Sequence, residues 1–213
     1  MKPIVIISGG GFGREVQYLI ESINEKDPTW EILGYIDDSK DKGSEVNGHK
    51  VLGNIDFFSS FPQKMNVVVA IGNATIRKKI VEKLKGNPAL SFPNLIDPSI
   101  RISKYINLGE GNIICAGSIL TTNIEVGDFN IVNLSCTIGH DANLSSYITL
   151  YPGVNISGAV TIGDCCELGT GSQIVQSLTI CEGCTIGAGA VVVKGINKRG
   201  TYVGIPAALC GEH

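Results

Sequence analysis

The sequence predicts an α/β, Rossmann-like amino-terminal domain (residues 1–88) followed by an all-β, left-handed parallel β-helix of hexapeptide repeats (residues 94–213). In the front half, short apolar runs alternate with glycine turns and amphipathic helical stretches. In the back half, counting by sixes from Ile96 to Val192 finds Ile, Leu or Val at all seventeen positions. An unbroken period of six residues is typical of a solenoid.

Composition narrows the classes of function. The 213 residues include 17 basic and 20 acidic ones, for a net charge of −3, which argues against a nucleic acid or an anionic membrane as partner. The apolar opening at residues 4–7 is too short for a signal peptide, and no run reaches the length of a membrane span. We therefore expect a cytoplasmic protein whose partners are small molecules and other copies of itself.

In the front half, residues 3–7, 32–36 and 67–71 are predicted strands. A glycine turn and a helix with apolar residues at positions 16, 19, 20 and 23 follow the first strand, and a second helix at 74–85 follows the third. This order predicts a small parallel sheet flanked by helices, with ligands bound where the strands end.

The glycine turn at residues 8–13 lies between the first strand and its helix. Arg14 occupies the third glycine position of a G-x-G-x-x-G fingerprint, so the turn indicates NAD only weakly. Its backbone N–H groups can still approach a phosphate. Asp37 or Asp38, after the second strand, can accept hydrogen bonds from a ribose or base. The alternative is a tight turn beside a solvated acidic loop.

The second helix carries three consecutive cations, Arg77, Lys78 and Lys79. We interpret them as a solvated helix face rather than a phosphate clamp. Prolines at positions 88, 93 and 98 then mark a linker to the repeat half.

One aliphatic residue per six fits a coil with three flat faces and eighteen residues per turn. Each aliphatic points inward, and the Gly or Asn that often follows it is expected to adopt the unusual corner dihedrals. Residues n and n+18 should stack, which places Cys166 beneath Cys184 and His140 between Thr122 and Gly158. No loop interrupts the count.

All seven cysteines lie in the repeat half or its tail, and an odd number in a reducing compartment predicts free thiols. Cys181 and Cys184 have the spacing of a redox or zinc pair. The repeat gives a simpler explanation, because Cys136, Cys166 and Cys184 each stand two residues before a core aliphatic. Serine and alanine also occur there, so we predict that these cysteines fill the core as small side chains.

His140 is the candidate catalytic residue. The other two histidines are His49, in a polar loop, and His213, the last residue of the sequence. His140 should point outward near a corner with Asp141 beside it, and an imidazole oriented by a carboxylate can act as a general base. Gly158 above it leaves space for a substrate carbonyl. The alternative is a histidine that is merely solvated.

Several motifs in order resemble the NeuD-like bacterial sugar acetyltransferases. This family includes sialic acid O-acetyltransferases and the PglD-type N-acetyltransferases of nucleotide-linked 4-amino sugars. The resemblance covers nearly the whole chain. It rests on the segments SGGGFGREV at 8–16, IDD at 36–38, AIGN at 70–73 with Arg77, GHD at 139–141 and VGIPA at 203–207.

The resemblance implies a homotrimer that binds acetyl-CoA between neighbouring β-helices and a sugar nucleotide on the front domain, without a metal. It implies catalytic roles for His140, Asp141 and the Gly158 amide, which lies near the thioester carbonyl. The residues implied at the acetyl-CoA site are Gly158, Lys194, Gly204, Ile205, Pro206 and Ala207, and Lys198 and Arg199 are further candidates for its phosphates. Those implied at the sugar nucleotide are Gly9, Gly10, Gly11, Phe12, Asp37, Asp38, Gly72 and Asn73.

Two departures from the PglD type concern the acceptor. Phe12 and Thr149 stand where PglD-type enzymes carry histidines. The acetyl donor is therefore better indicated than the acceptor, and both an amino group and the hydroxyl of a sialic acid or related sugar stay open. We favour the nucleotide-linked 4-amino sugar of a bacterial surface glycan, because the front domain is suited to hold a nucleotide.

Three other hypotheses compete with direct transfer by His140. A cysteine, Cys136 or Cys115, can form an acetyl-enzyme, although no cysteine has a basic neighbour in sequence. A zinc enzyme of the hexapeptide carbonic anhydrase class needs three histidine ligands, and the repeat offers one. The non-enzymatic hypothesis is a trimeric nucleotide-binding structural protein.

Overall fold

The computed structural model describes residues 1–59 and 64–210, so His213 lies outside the described part. The front half forms a six-stranded sheet with one helix against each face. Its elements are β1 (Lys2–Ile7), α1 (Gly11–Lys26), β2 (Trp30–Ile36), β3 (Glu45–Val46), β4 (His49–Gly53), a 3-10 turn (Ile55–Ser59), β5 (Met65–Val69), α2 (Ala74–Leu84) and β6 (Leu90–Ser91).

The sheet has the strand order β3-β4-β2-β1-β5-β6, and it is parallel except for β3. Alternate residues of β1 face opposite sides, as strand geometry requires. Ile4 and Ile6 pack in the cluster that contains α1, whereas Val5 and Ile7 pack in the cluster that contains α2. The predicted strands and helices are confirmed; β3, β4 and β6 are additional, and β6 extends the sheet beyond residue 88.

The back half is a parallel β-helix with three sheets, and a hairpin follows it. Its strands are β7 (Leu95–Ile96), β8 (Ile106–Leu108), β9 (Ile113–Ile114), β10 (Ile119–Leu120), β11 (Ile124–Val126), β12 (Ile131–Val132), β13 (Thr137–Ile138), β14 (Asn143–Leu144), β15 (Thr149–Leu150), β16 (Asn155–Ile156), β17 (Thr161–Ile162), β18 (Glu167–Leu168), β19 (Gln173–Ile174), β20 (Thr179–Ile180), β21 (Thr185–Ile186) and β22 (Val191–Val192), then β23 (Thr201–Val203) and β24 (Ala208–Leu209).

Each strand from β7 to β19 pairs with the strand eighteen residues further on, as in Ile138 with Ile156 and Ile174 with Val192, whereas β21 pairs with β23 at a spacing of sixteen. The predicted core positions from Ile114 to Val192 are at most 5% exposed. Those at 96, 102 and 108 are only partly buried, because they belong to the first coil and lack a full coil on one side. The fold class and the register of eighteen are therefore confirmed.

The expectation about corner dihedrals was wrong by two positions. Positive φ recurs every six residues from Gly111 to Gly189, three places after each aliphatic rather than one. The glycine directly after the aliphatic serves close packing instead: a Cβ on Gly139 would lie 2.6 Å from the backbone nitrogen of Gly158 in the next coil. This glycine lets successive coils approach.

The cysteine prediction is confirmed. All seven thiols are free. Cys136, Cys166 and Cys184 are fully buried in the β-helix core, and the backbone N–H of Glu167 bonds to the carbonyl of Cys184, as stacking by eighteen requires. They fill space at the corners as small apolar side chains.

Arg77 is the main correction to the sequence analysis, because it is 1% exposed rather than solvated. Its guanidinium donates to the carbonyls of Phe129, Tyr147 and Ile148 in the β-helix, at 2.9, 2.9 and 3.1 Å. It also donates to the carbonyls of residues 71 and 72, at 2.6 and 2.9 Å. Burial lowers the pKa of Arg77 to about 10, so it stays charged at neutral pH. The front domain is thus fastened to the β-helix through a buried cation.

Among residues 1–59 and 64–210, no helix is long and apolar enough to cross a membrane.

Candidate active site

His140 lies on the corner that joins β13 to β14, where its side chain is 64% exposed. Its carbonyl accepts a 2.7 Å hydrogen bond from Ala159, and the N–H of Asp141 bonds to the carbonyl of Thr122 at 3.2 Å. His140 is therefore stacked between the coil of Thr122 and that of Gly158, facing outward, as the sequence predicts.

The imidazole of His140 is paired with a carboxylate. Its Nδ1 lies 2.7 Å from Oδ2 of Asp141, whose other oxygen accepts a 3.3 Å bond from Asn123. The bond from His140, and next that from Asn123, lower the pKa of Asp141. A carboxylate only accepts hydrogen bonds, so in the neutral imidazole Nδ1 carries the proton and Nε2 presents its lone pair. This is the tautomer that a general base requires.

Gly158 provides the space that the ring occupies. A Cβ built on Gly158 would lie 2.6 Å from both Cε1 and Nε2 of His140. No side chain at position 158 is compatible with the observed ring position, so the stacking count correctly located the glycine beside His140.

Within the described residues, the backbone amides of His140 and Gly158 have no protein acceptor, whereas those of Asp141 and Ala159 donate to the neighbouring coils. On the corner that follows β8, β11 and β14, by contrast, the amides of residues 110, 128 and 146 donate to the side chains of Asp128, Ser146 and Asp164, at 3.0, 3.0 and 2.8 Å. The N–H groups of His140 and Gly158 are therefore open to solvent or to a ligand. A free amide beside a base can stabilise an oxyanion.

Replacing Gly158 by alanine tests this geometry. The new methyl group must displace the imidazole, so we expect Gly158→Ala to lower kcat while leaving the melting temperature nearly unchanged, because the ring is exposed and free to rotate. Gly86→Ala is a matched control, since a Cβ there meets no atom within 4 Å. Equal kcat for both variants, measured by CoA release, would show that the ring position does not matter.

The residues predicted for acetyl-CoA lie above His140. Lys194 follows it by three coils on the same corner, a rise of about 14 Å at the usual strand spacing. Residues 204–207 run beside β22, where the N–H of Val191 donates to Gly204 at 3.1 Å and Ala207 donates to Val191 at 2.8 Å. Arg199 instead lies against Gly183 on another corner, away from His140.

The residues predicted for the nucleotide meet at the carboxyl edge of the sheet. Oδ2 of Asp37 accepts a 2.7 Å bond from the N–H of Gly9, and Oδ1 accepts from Ser39 N and Oγ at 2.9 and 2.6 Å. Burial acts to raise the pKa of Asp37, but the bonds from Ser39 and Gly9 outweigh it and the pKa is lowered. Asp37 therefore shapes the glycine turn. Oδ1 of Asp38 accepts a 3.2 Å hydrogen bond from the N–H of Ile55.

A cavity of about 730 Å³ opens at this edge. Apolar side chains from the sheet and α2 form part of it, and Lys40, Lys79 and Lys83 add positive charge. Of these, Lys40 lies beside Gly9 of the glycine turn, and Lys83 is 3.6 Å from the carboxylate of Asp56. Its lining residues are Ile7, Ser8, Gly10, Ile36, Asp37, Asp38, Ser39, Lys40, Ile55, Ile71, Ile76, Lys79, Ile80 and Lys83. The cavity has room for a nucleotide, and its cations suit phosphate groups.

Phe12 and Thr149, the two departures from the PglD type, line one small pocket of about 120 Å³ between the domains. Gly72 and Asn133 also line it. The hydroxyl of Thr149 donates to the carbonyl of Gly72 at 2.6 Å, and the residue is 1% exposed. At these positions the chain has a packing contact and an interdomain hydrogen bond in place of two imidazoles.

The structure does not bring the cavity and His140 together within one chain. The front domain contacts the sheet that contains β12, β15 and β18, through Arg77, Thr149 and Glu167. His140 lies on the corner between the other two sheets. A single chain therefore holds two parts of a site on different sides of the β-helix.

The structure gives no support to the cysteine and zinc hypotheses. Burial raises the pKa of Cys115 to about 12 and that of Cys136 to about 11, which makes both thiols poor nucleophiles at neutral pH. Within the described ranges, no three His, Cys, Asp or Glu side chains are grouped so as to hold a metal ion.

Comparison with known proteins shows the family. Residues 3–84 match the PglD N-terminal domain. The chain is 31% identical over 170 residues to a GDP-perosamine N-acetyltransferase of Escherichia coli, an alignment that covers 78% of this chain and 75% of that protein. The chain belongs to the NeuD-like and PglD-like family of bacterial sugar acetyltransferases. It is an acyltransferase.

Solved structures of family members agree along the whole chain. The acetyltransferase domain of PglB from Neisseria gonorrhoeae, in complex with acetyl coenzyme A, is 32% identical with a TM-score of 0.90, covering 98% of this chain and 99% of that one. PerB from Caulobacter crescentus, in complex with CoA and GDP-perosamine, is 29% identical with a TM-score of 0.88, covering 99% and 98%.

Proposed function

We propose that the protein transfers the acetyl group of acetyl-CoA to the amino group of a nucleotide-linked 4-amino sugar for a bacterial surface glycan. The observation that carries the proposal is the exposed His140–Asp141 pair, whose Nε2 faces the side-chain-free Gly158. The similar PglB domain binds acetyl coenzyme A, and the similar PerB binds CoA and GDP-perosamine. They support the donor and the class of acceptor.

In the proposed reaction, the amine nitrogen of the acceptor attacks the thioester carbonyl, and Nε2 of His140 removes a proton from that amine. A C–N bond forms, and the N–H of Gly158 donates to the carbonyl oxygen as it becomes an oxyanion. The C–S bond then breaks, the amide is released, and the imidazolium returns the proton to the CoA thiolate. Asp141 holds the ring and stabilises its charged form.

The acetyl donor is proposed to lie along the His140 corner. The thioester is placed at Gly158, the pantetheine chain follows the coils upward, and Lys194 meets phosphate groups. Residues 204–207, beside β22, flank the far end of the same path. Three exposed apolar side chains on or beside this corner, Ile119, Val175 and Val193, add apolar surface that the cofactor or another chain can cover.

The acceptor is proposed to lie in the 730 Å³ cavity with its phosphates at the glycine turn. That cavity and His140 lie on different sides of one β-helix, so a complete site requires His140 from a neighbouring copy. A homotrimer places each corner against the next chain in a closed ring, consistent with cyclic symmetry. Light scattering of the purified protein measures this assembly directly.

An acceptor panel tests the function. UDP-, GDP- and dTDP-linked 4-amino sugars, CMP-sialic acid and free sialic acid are assayed for CoA release with the wild type and with His140→Ala. We expect rapid release with at least one amino-sugar nucleotide and an amide in the product by mass spectrometry. Turnover of a sialic acid alone would replace the proposal with O-acetylation. No turnover, together with no acetyl-CoA binding by calorimetry, would favour a structural trimer.

A further inference from the structure

The turn that joins β5 to α2 is held by a carboxylate from the β-helix. Oε1 of Glu167 accepts hydrogen bonds from the side-chain amide of Asn73 and from the backbone N–H of Ala74, each at 3.0 Å. Ala74 is the first residue of α2, so the carboxylate of Glu167 lies at the positive end of that helix. Tyr151 donates to the second oxygen, Oε2, at 3.0 Å.

The rest of this turn is fixed by the same route. The carbonyl of Gly72 accepts from Thr149 at 2.6 Å and from Arg77 at 2.9 Å, and the carbonyl of Ile71 accepts from Arg77 at 2.6 Å. Four consecutive residues, 71–74, are thus hydrogen-bonded by three side chains. Glu167 and Thr149 belong to the β-helix, and Arg77 belongs to α2 but is buried against the β-helix. Together they set the position of the turn relative to the β-helix.

The turn also lines two cavities. Ile71 lines the 730 Å³ cavity, and Gly72 lines the small pocket beside Phe12. The sequence placed Asn73 and Gly72 among the substrate contacts. In the structure the side-chain amide of Asn73 donates to Glu167 while its oxygen caps α2, and the carbonyl of Gly72 accepts from Thr149. At the start of α2, the N–H of Ala74 already donates to Glu167. At the start of α1, by contrast, there is a glycine turn, no acidic residue in the first turn and no side-chain cap. A phosphate is therefore favoured at α1 rather than at α2.

We propose that Glu167 is a positioning residue for the acceptor: it holds the 71–74 turn so that the sugar nucleotide is bound in a fixed orientation relative to the β-helix. This inference rests on the proposed function. Glu167 acts through the turn and does not touch the reacting atoms. Its loss leaves three donors, the two on the turn and the hydroxyl of Tyr151, without their acceptor, and it frees the wall of the cavity. Acceptor binding therefore weakens while acetyl-CoA binding does not.

Three variants test the role of Glu167 in the full-length protein. Glu167→Ala removes the acceptor oxygen, and we expect the KM for the amino-sugar nucleotide to rise roughly tenfold, equivalent to about 1.4 kcal/mol. The KM for acetyl-CoA should change by less than about twofold, which corresponds to a much smaller free energy than the tenfold change expected for the acceptor. Glu167→Gln keeps an oxygen for both donors and should retain a KM close to the wild type. Glu125→Ala is the matched control, since the Glu125 carboxylate accepts from Asn107 within a different sheet from that of Glu167.

Folding is monitored separately, because a structural role predicts a different pattern. The proposal is overturned if Glu167→Ala leaves the acceptor KM unchanged, or if it raises both KM values together with a lower melting temperature. Thr149→Val, which removes the bond to Gly72 at constant volume, should raise the acceptor KM alone and to a smaller extent. An unchanged acceptor KM in Thr149→Val also counts against the proposal.

Calorimetry with UDP and with GDP separates this inference from the proposed function. If the wild type releases no CoA with any acceptor, the proposed function fails. The Kd for the nucleotide still measures whether Glu167 positions the 71–74 turn for binding. A Kd that rises in Glu167→Ala and is retained in Glu167→Gln supports the positioning role. Equal Kd values in all variants, or no binding of either nucleotide by the wild type, overturn it.

Discussion

His140→Ala is expected to reduce kcat/KM for the acceptor by about 10²- to 10⁴-fold, the usual contribution of a general base. The imidazole is exposed and bonds to Asp141, itself an exposed side chain, so its removal leaves the β-helix core intact. We therefore expect an unchanged melting temperature and an acetyl-CoA Kd close to that of the wild type. Steady-state kinetics, thermal unfolding and calorimetry on one protein preparation measure the three quantities.

Two further variants distinguish the loss of a general base from other effects of replacing a histidine. Asp141→Asn keeps an acceptor for Nδ1–H but loses the charge that stabilises the imidazolium, so its loss of kcat should be smaller than that of His140→Ala. His49→Ala removes a histidine from β4, outside the proposed site, and should retain full activity. A kcat/KM for His140→Ala within a few-fold of the wild type would refute the assignment of the base.

The β-helix and the environment of His140 could be predicted because they follow from a local rule. An inward aliphatic every six residues leaves little freedom in a three-sided prism, so the register of eighteen followed from counting alone. That register placed Gly158 against His140, and the structure shows a Cβ at position 158 excluded at 2.6 Å from the ring. The same rule did not reveal which corner residue has positive φ, because backbone dihedrals depend on the corner geometry rather than on the spacing of the core.

The docking of the two domains could not be predicted, because it depends on pairs far apart in sequence. Arg77 meets the carbonyl of Phe129 across 52 residues, and Glu167 meets Asn73 across 94. Arg77, Lys78 and Lys79 look alike in sequence, and only the packing of α2 decides which of them is buried. Glu167 occupies an ordinary outward position of its strand. The one local signal near it is Asn73, the side-chain cap at the start of α2.

The second large effect is expected at Arg77. Arg77→Met keeps most of the side-chain volume but removes all five of the hydrogen bonds that the guanidinium donates. The carbonyls of residues 71, 129 and 147 lose the donor that they have in the structure, whereas those of Gly72 and Ile148 keep the hydroxyl of Thr149 and the N–H of Ile131. Hydrogen bonds from a charged group contribute roughly 1.5–3 kcal/mol each, although such losses do not add in full. Because burying the cation itself costs free energy, we expect a net loss of about 3–5 kcal/mol in the free energy of unfolding, measured by urea denaturation.

Arg77→Lys separates charge from geometry at the same position. An ammonium group retains the charge, but it has three N–H donors on one atom instead of the five of the planar guanidinium. It therefore cannot donate to carbonyls of both domains as Arg77 does. Its stability should fall between those of the wild type and Arg77→Met. Lys79→Met, an exposed cation two residues further along α2, should change stability by less than about 0.5 kcal/mol. If Arg77→Met were no less stable than Lys79→Met, the buried cation would not be what fastens the domains together, and their apolar contacts would have to carry the interface.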